Sequence, residues 1–360
     1  MNILFVTGHP AQIHHFKNVK MLLEKRGHSV FWAASSKEIS FELLRHENID
    51  FIEVLKPGKG IFSKIKTLLI NNWKLARFIK DKNIQYVVSR VSPFVSLACK
   101  VRGVYHLGIS DTEKSGVYDT LFTKLLNAFI TAESFRRTLR KDQIRIKSNT
   151  ELFYLHKNHF QPNREQLEAH GIDFSKPYSV VRFVSWNAYH DKGQSGFNYQ
   201  NQLELISTLA KYTTVYISGE SELPNELKVH ALKIPSHLMH ELLYFASIYV
   251  GEGASMAAEA SLLGTPSILV NDIKSGNGDD MEKHGILKVF TSSDEEQQQA
   301  INCAEEILNN RESKTNFRKK LDVYLEDKID GSAFLVWFIE QGSRAKSIML
   351  NNPEFQNKFK

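Results

Sequence analysis

The chain has 360 residues, with 46 Lys+Arg against 40 Asp+Glu and a formal net charge of +6. At 42% hydrophobic and 24% charged, it is globular in composition, which excludes a disordered chain, a collagen-like repeat and a disulfide scaffold. Its length fits two domains, because single cores stop growing near roughly 250–300 residues.

The elements alternate from the start. Residues 2–7 read as a buried strand, with no basic lead and no small-residue cleavage site of a signal peptide. A helix over 13–27 closes on Gly27, a good residue just past a helix end. A strand at 29–34, a helix at 36–46 and a strand at 50–55 follow. A long basic helix covers about 61–82. Strand 84–89, helix 92–101 and strands 105–109 and 128–131 complete the first half. Repeated βα units predict a parallel sheet with helices on both faces.

Residues 161–178, with Pro162, Gly171 and Pro177, interrupt the pattern and read as an interdomain passage. Strands are then expected at 179–184, 213–218, 247–250, 267–270 and 287–290. Helices are expected at 200–211, 237–245, 254–263, 280–285, 295–309, 313–326 and 332–347. The domains are 1–160, 179–331 and a C-terminal segment 332–360. The fold class is therefore α/β, two tandem Rossmann-like domains facing a central cleft at the carboxyl ends of their strands. No run of about 18 apolar residues is present to span a membrane. Cys99 and Cys303 have no zinc-ligand spacing around them, and two lone cysteines fit a reducing, cytoplasmic compartment.

The sharpest motif is Val250-Gly251-Glu252-Gly253-Ala254-Ser255-Met256-Ala257-Ala258-Glu259-Ala260, then Leu263-Gly264-Thr265-Pro266. Strand, glycine turn and helix follow in that order. The helix opening at Gly253 and Ala254 offers free N–H groups and a positive dipole end, a natural anion site. Ser255 adds a hydroxyl beside Met256. Glu259, one turn on and on the same face, is placed to accept from a ribose diol, or else is a surface glutamate on a tight turn.

This stretch resembles the nucleotide-sugar site of GT-B glycosyltransferases and of non-hydrolysing UDP-GlcNAc 2-epimerases, where the helix start binds the diphosphate and the glutamate the ribose. Ile234-Pro235-Ser236-His237-Leu238-Met239 resembles the base-binding loop of lipid-carrier N-acetylglucosaminyltransferases. There Ile234, Leu238 and Met239 would flank a uracil; alone, they would read as core. The whole chain is similar to an uncharacterised prokaryotic GT-B-like family found with surface-polysaccharide genes. The matching residues include His9-Pro10-Ala11-Gln12-Ile13-His14-His15, Ser89-Arg90-Val91-Ser92-Pro93, Ser110-Asp111-Thr112-Glu113, Asn149-Thr150-Glu151-Leu152 and Val181-Arg182-Phe183. They continue through Trp186, His190-Asp191-Lys192-Gly193 and Ala333-Phe334-Leu335-Val336-Trp337. Members usually carry a histidine where this chain has Gln12, so only His14 is carried over. The resemblance implies a GT-B fold in which 332–347 crosses back to the first domain.

His14 is expected in the first helical turn after the first strand, where the dipole favours a neutral ring. It reads as a base for an acceptor hydroxyl or as packing. Asp111 and Glu113 follow a strand end and read as acid/base groups or as a helix cap. Arg90 reads as an anion ligand or as a partner for one of these acids. Arg182 interrupts a buried strand and needs a partner, either a nucleotide phosphate or a carboxylate such as Asp191. No Asp-x-Asp occurs, so no metal or cofactor is expected beside the UDP-sugar donor.

The positive excess concentrates in 56–82, where lysines and Arg77 interleave with Trp73 and aliphatic residues. This pattern fits docking on an anionic inner membrane leaflet, or an ordinary surface helix. No nucleic-acid recognition pattern accompanies it. The leading reading is a glycosyltransferase moving a sugar from a UDP-sugar to an acceptor in cell-surface polysaccharide or glycolipid synthesis. A UDP-HexNAc 2-epimerase and a noncatalytic nucleotide-sugar-binding protein are the alternatives.

Overall fold

The computed structural model describes residues 1–35, 38–54, 60–113, 117–184, 196–219 and 223–360. The chain forms two compact units: Met1–Phe160 with Asp327–Lys360, and Gln161–Glu326.

The first unit holds seven strands: β1 Asn2–Thr7, β2 Ser29–Ser35, β3 Ile52–Val54, β4 Tyr86–Ser89, β5 Tyr105–Ser110, β6 Ala128–Ala132 and β7 Ile144–Ile146. They lie in the order β3-β2-β1-β4-β5-β6-β7, and every pair is parallel. The chain leaves β1 toward β2 on one side and returns through β4 on the other. That reversal opens a crevice at the carboxyl ends of β1 and β4. Ile3, Leu4, Phe5 and Val6 are all buried, as expected for a strand covered on both faces.

Helix Pro10–Lys25 covers one face with Ile13, Phe16, Val19 and Leu23. It starts earlier than its apolar spacing predicts. Pro10 sits at the first helical position, where its missing N–H costs nothing, and the His9 side chain accepts from the Ala11 amide at 3.3 Å. His14 therefore falls in the second turn, beyond the strongest reach of the helix dipole.

The second unit holds β8 Tyr178–Phe183, β9 Thr214–Gly219, β10 Ile248–Gly251, β11 Ser267–Val270 and β12 Lys288–Phe290, in the order β12-β11-β10-β8-β9. All its pairs are parallel, and its reversal lies between β8 and β10. Both sheets are Rossmann-like, and the fold class is α/β. Segment 161–178 carries helix Arg164–Ala169 and belongs to this unit.

The C-terminal stretch is two helices, Gly331–Gln341 and Ser343–Asn351, instead of one over 332–347. Gly342 breaks it with a φ of 53°, which favours glycine. Phe334, Leu335, Phe338 and Ile339 of the first helix are buried, and Ser332 Oγ donates to the Phe153 carbonyl at 2.6 Å. Among the described residues, no helix is long and apolar enough to cross a membrane.

Candidate functional site

The glycine motif stands at the reversal of the second sheet. β10 ends at Gly251, where no side chain fits: a Cβ would meet the Tyr249 ring carbon Cζ at 2.8 Å and the Arg182 carbonyl at 3.0 Å. Helix Ala254–Leu262 then begins with Gly253 at its cap and no side chain capping it. Ala254 and Ser255 are exposed and Met256 is half-buried. The first turn of amides, which has no partner inside the helix, thus opens on solvent.

Arg182 comes from the neighbouring strand β8. Its Cδ and Nε pass 3.7 Å from where a Gly253 Cβ would stand, and a guanidinium nitrogen donates to Ser218 Oγ of β9 at 2.9 Å. Three adjacent strands therefore place a cation, a hydroxyl and a helix N-terminus at one carboxyl edge. This arrangement suits a multiply charged anion. Asp191, the carboxylate considered as a partner for Arg182, lies outside the described residues, as do Trp186 and His190.

Glu259 is buried, and its Oε1 stands 3.2 Å from His240 Nε2 on helix Met239–Phe245. Ser255 and Glu259 are one turn apart, but one is exposed and the other enclosed. Leu238 is 1% exposed and belongs to the core, whereas Ile234 and Met239 are half-buried. The Leu-Gly-Thr-Pro end of the motif is structural. Gly264, at φ 79°, terminates the helix, and the buried Thr265 hydroxyl donates to the Leu243 carbonyl at 2.7 Å.

Glu252, between the two glycines, had no role in the sequence reading. It is 2% exposed. One carboxylate oxygen accepts from the Val184 amide and the other from the Phe197 amide, each at 2.7 Å. Its carbonyl accepts from Asn271 Nδ2 at 2.8 Å. It ties the end of β8 to the residues entering helix Tyr199–Ala210. An acid inside an otherwise buried run was the one available signal.

In the first unit, a cavity of about 630 Å³ fills the crevice at β1 and β4. Gly8, His9 and Gln12 line it from one side, Ser89 and Arg90 from β4, and Asn71 from helix Ile61–Asp81. Gln12 is buried, and its Oε1 accepts from the Gly8 amide at 2.7 Å, which closes the loop.

His14 is not among the lining residues. Its ring lies 5.4 Å from that of Tyr154. With the earlier helix start, His9 at the cap and Gln12 in the first turn line the cavity in its place. Because His9 Nδ1 accepts from the Ala11 amide, its neutral ring carries the proton on Nε2.

Asp111 pairs with Arg90 at 2.8 Å, and its carboxylate accepts from the Thr112 hydroxyl at 3.1 Å. Desolvation by its neighbours pushes its carboxyl up, although the side chain is still 34% exposed, but Arg90, the nearby His15 and the Thr112 hydroxyl outweigh this and hold it below the usual carboxylate range. His15, Arg90, Asp111 and Thr150 enclose a small space next to the cavity. Glu113 is placed elsewhere: its Oε1 accepts from the Arg136 amide at 2.8 Å and its carbonyl from Arg137 at 3.0 Å. It is a clamp on that loop and does not line the cavity.

Below Ser89, the fully buried His106 reaches Ser89 Oγ with Nε2 at 2.9 Å. Burial holds its pKa down to about 3. Among the described residues, no group of three or more His, Cys, Asp or Glu gathers in a way that could hold a metal ion.

No protein-family model matches the chain, and no curated protein matches it. Solved structures do. A UDP-GlcNAc 2-epimerase from Neisseria meningitidis bound to UDP-GlcNAc is similar with a TM-score of 0.69 at 14% identity, over 95% of this chain and all (100%) of that one. MurG from Acinetobacter baumannii is similar at 0.59 and 14% identity, over 94% and 99% of the two chains. The spinosyn rhamnosyltransferase SpnG, complexed with spinosyn aglycone, is similar at 0.58 and 10% identity, over 93% and 99%. The fold neighbours are thus epimerases and GT-B glycosyltransferases alike, and the fold is of GT-B type.

Proposed function

We propose that the chain is a glycosyltransferase that moves a sugar from a UDP-sugar to an acceptor hydroxyl. The observation that carries this reading is the Arg182 side chain beside the open start of helix Ala254–Leu262. Together they supply positive charge where a diphosphate leaving group would develop negative charge. Ser255 adds a donor there, and the reading calls on no divalent ion and no cofactor beyond the donor. Glu259 holds the ribose once His240 yields to it, and Ile234 and Met239 border the base.

The first unit's cavity offers room for a second substrate, which a transferase requires and an epimerase does not. Asp111 does not line that cavity but the small space beside it, and from there, ionised against Arg90, it is the group proposed to take the acceptor proton. A positioned base of this kind is worth about 10²–10⁴-fold. Resemblance to families found with surface-polysaccharide genes suggests a cell-surface glycan or glycolipid as acceptor.

The epimerase remains the second reading, favoured by the higher fold likeness to the Neisseria epimerase. One experiment separates the two. The protein is incubated with UDP-GlcNAc in deuterium oxide without any acceptor. A transferase leaves C2 unlabelled; deuterium at C2, or the C2 epimer, establishes the epimerase and overturns the proposal. Asp111→Asn should abolish transfer while leaving UDP affinity intact.

A further inference from the structure

Helix Ile61–Asp81 has two distinct faces. Thr67, Leu68 and Asn71 wall the first unit's cavity. About half a turn away, at 3.6 residues per turn, stand Phe62, Ile65, Leu69 and Trp73. These four are 89%, 52%, 62% and 61% exposed. Their spacing of three, four and four residues puts them in one line along the helix. Single exposed apolar side chains are ordinary, but a stripe roughly 16 Å long is a patch.

The same helix carries Lys64, Lys66, Lys74, Arg77 and Lys80 against a single acid, Asp81. Lys66, Lys74 and Lys80 are exposed, and Arg77 lies over the Trp73 ring at 5.7 Å. A second copy of the chain would meet this patch with itself, as an isologous contact does, and would set like cations against one another. Phosphate headgroups over acyl chains complement both parts: aromatic rings settle at the interface and lysines reach the phosphates.

We propose that this face docks on an anionic lipid bilayer, with the helix lying in the headgroup plane. One helix diameter of about 10 Å then separates the bilayer surface from the cavity. Docking does not depend on which reaction the protein catalyses. Lys56 and Lys59, part of the basic stretch in the sequence, lie outside the described residues and are not needed for it.

Co-sedimentation of the full chain with phosphatidylcholine vesicles, with and without about one-third phosphatidylglycerol, tests the proposal. Binding is expected to the anionic vesicles only, and to weaken with salt. The exposed double change Phe62→Ser/Trp73→Ser should weaken it about tenfold or more, with an unaltered melting curve and unaltered UDP affinity. The charge reversal Lys66→Glu/Arg77→Glu should weaken it as well. Absence of binding to anionic vesicles, or binding that survives the double change, overturns the proposal. So does a dimer seen by light scattering that the double change dissolves, because a second copy would then cover the stripe.

Discussion

Glu252 offers the clearest test of how the glycine motif is held together. It is 2% exposed, and its two oxygens each accept one backbone amide at 2.7 Å, from Val184 and from Phe197. Glu252→Ala removes both acceptors. A buried donor left without a partner costs about 1–3 kcal/mol, so two cost about 4 kcal/mol. Glu252→Gln keeps one oxygen and turns an NH₂ group toward the other amide, for about 2 kcal/mol. At roughly 2–4 °C per kcal/mol, the second unit should melt about 8–16 °C lower in the Ala variant and about half as much lower in the Gln variant. Calorimetric melting gives the ordering, and hydrogen exchange at the Val184 and Phe197 amides localises it. Refutation would be an Ala variant that melts with the native protein while both amides stay protected, or a Gln variant as damaged as Ala.

Arg182→Ala should weaken UDP binding about tenfold or more, the worth of a charge-assisted contact; unchanged affinity in calorimetric titration would place the anion elsewhere. His14→Ala, whose ring rests near Tyr154 and off the cavity, should leave transfer within about threefold, whereas loss of a general base costs about 10²–10⁴-fold. His106 stays neutral in the folded unit down to pH about 3, against 6.5 for a free ring, so only the unfolded chain takes up a proton between these values. The stability from this group is complete above pH 6.5 and falls as pH drops toward 3, by about 2 kcal/mol between pH 7 and 5. Denaturation of the native protein and His106→Gln at both pH values should show that difference shrinking, and parallel curves would refute it. Gly196→Ala should destabilise the second unit, because the new methyl would strike the Glu252 carboxylate, and melting reads it.

What could be read from the sequence follows from what is local. The strands were legible because parallel strands covered on both faces are continuous apolar runs; Ile3–Val6 and Tyr178–Val181 are buried throughout. The Leu-Gly-Thr-Pro turn was legible because a glycine past a helix end has one common use. The amphipathic character of helix Ile61–Asp81 was legible from its interleaved charges, but which of its apolar residues stay exposed was not. The short strand β7 at Ile144–Ile146 was missed, since Arg140, Lys141, Asp142, Arg145 and Lys147 in and around it leave no apolar run.

The site was less legible, for a geometric reason. Helical periodicity gives the face each residue occupies but not how far it lies from the end of the helix. Apolar spacing put the helix start near Gln12, while Pro10 and the His9 cap set it earlier. The earlier start moves His14 from the first turn into the second, so His9 at the cap and Gln12 in the first turn line the cavity and His14 does not. Arg182 and Glu252 depend on something no window contains, the order of strands in the sheet. A charge in a buried run announces that a partner exists. Only the placement of β8 between β9 and β10 says that Arg182 meets Ser218 and runs past Gly253, and that Glu252 turns back to the amide just beyond β8. The same topology makes the motif a site: the glycines let the backbone turn, but the cation that fits it for a diphosphate comes from about seventy residues earlier in the chain, carried there by parallel pairing.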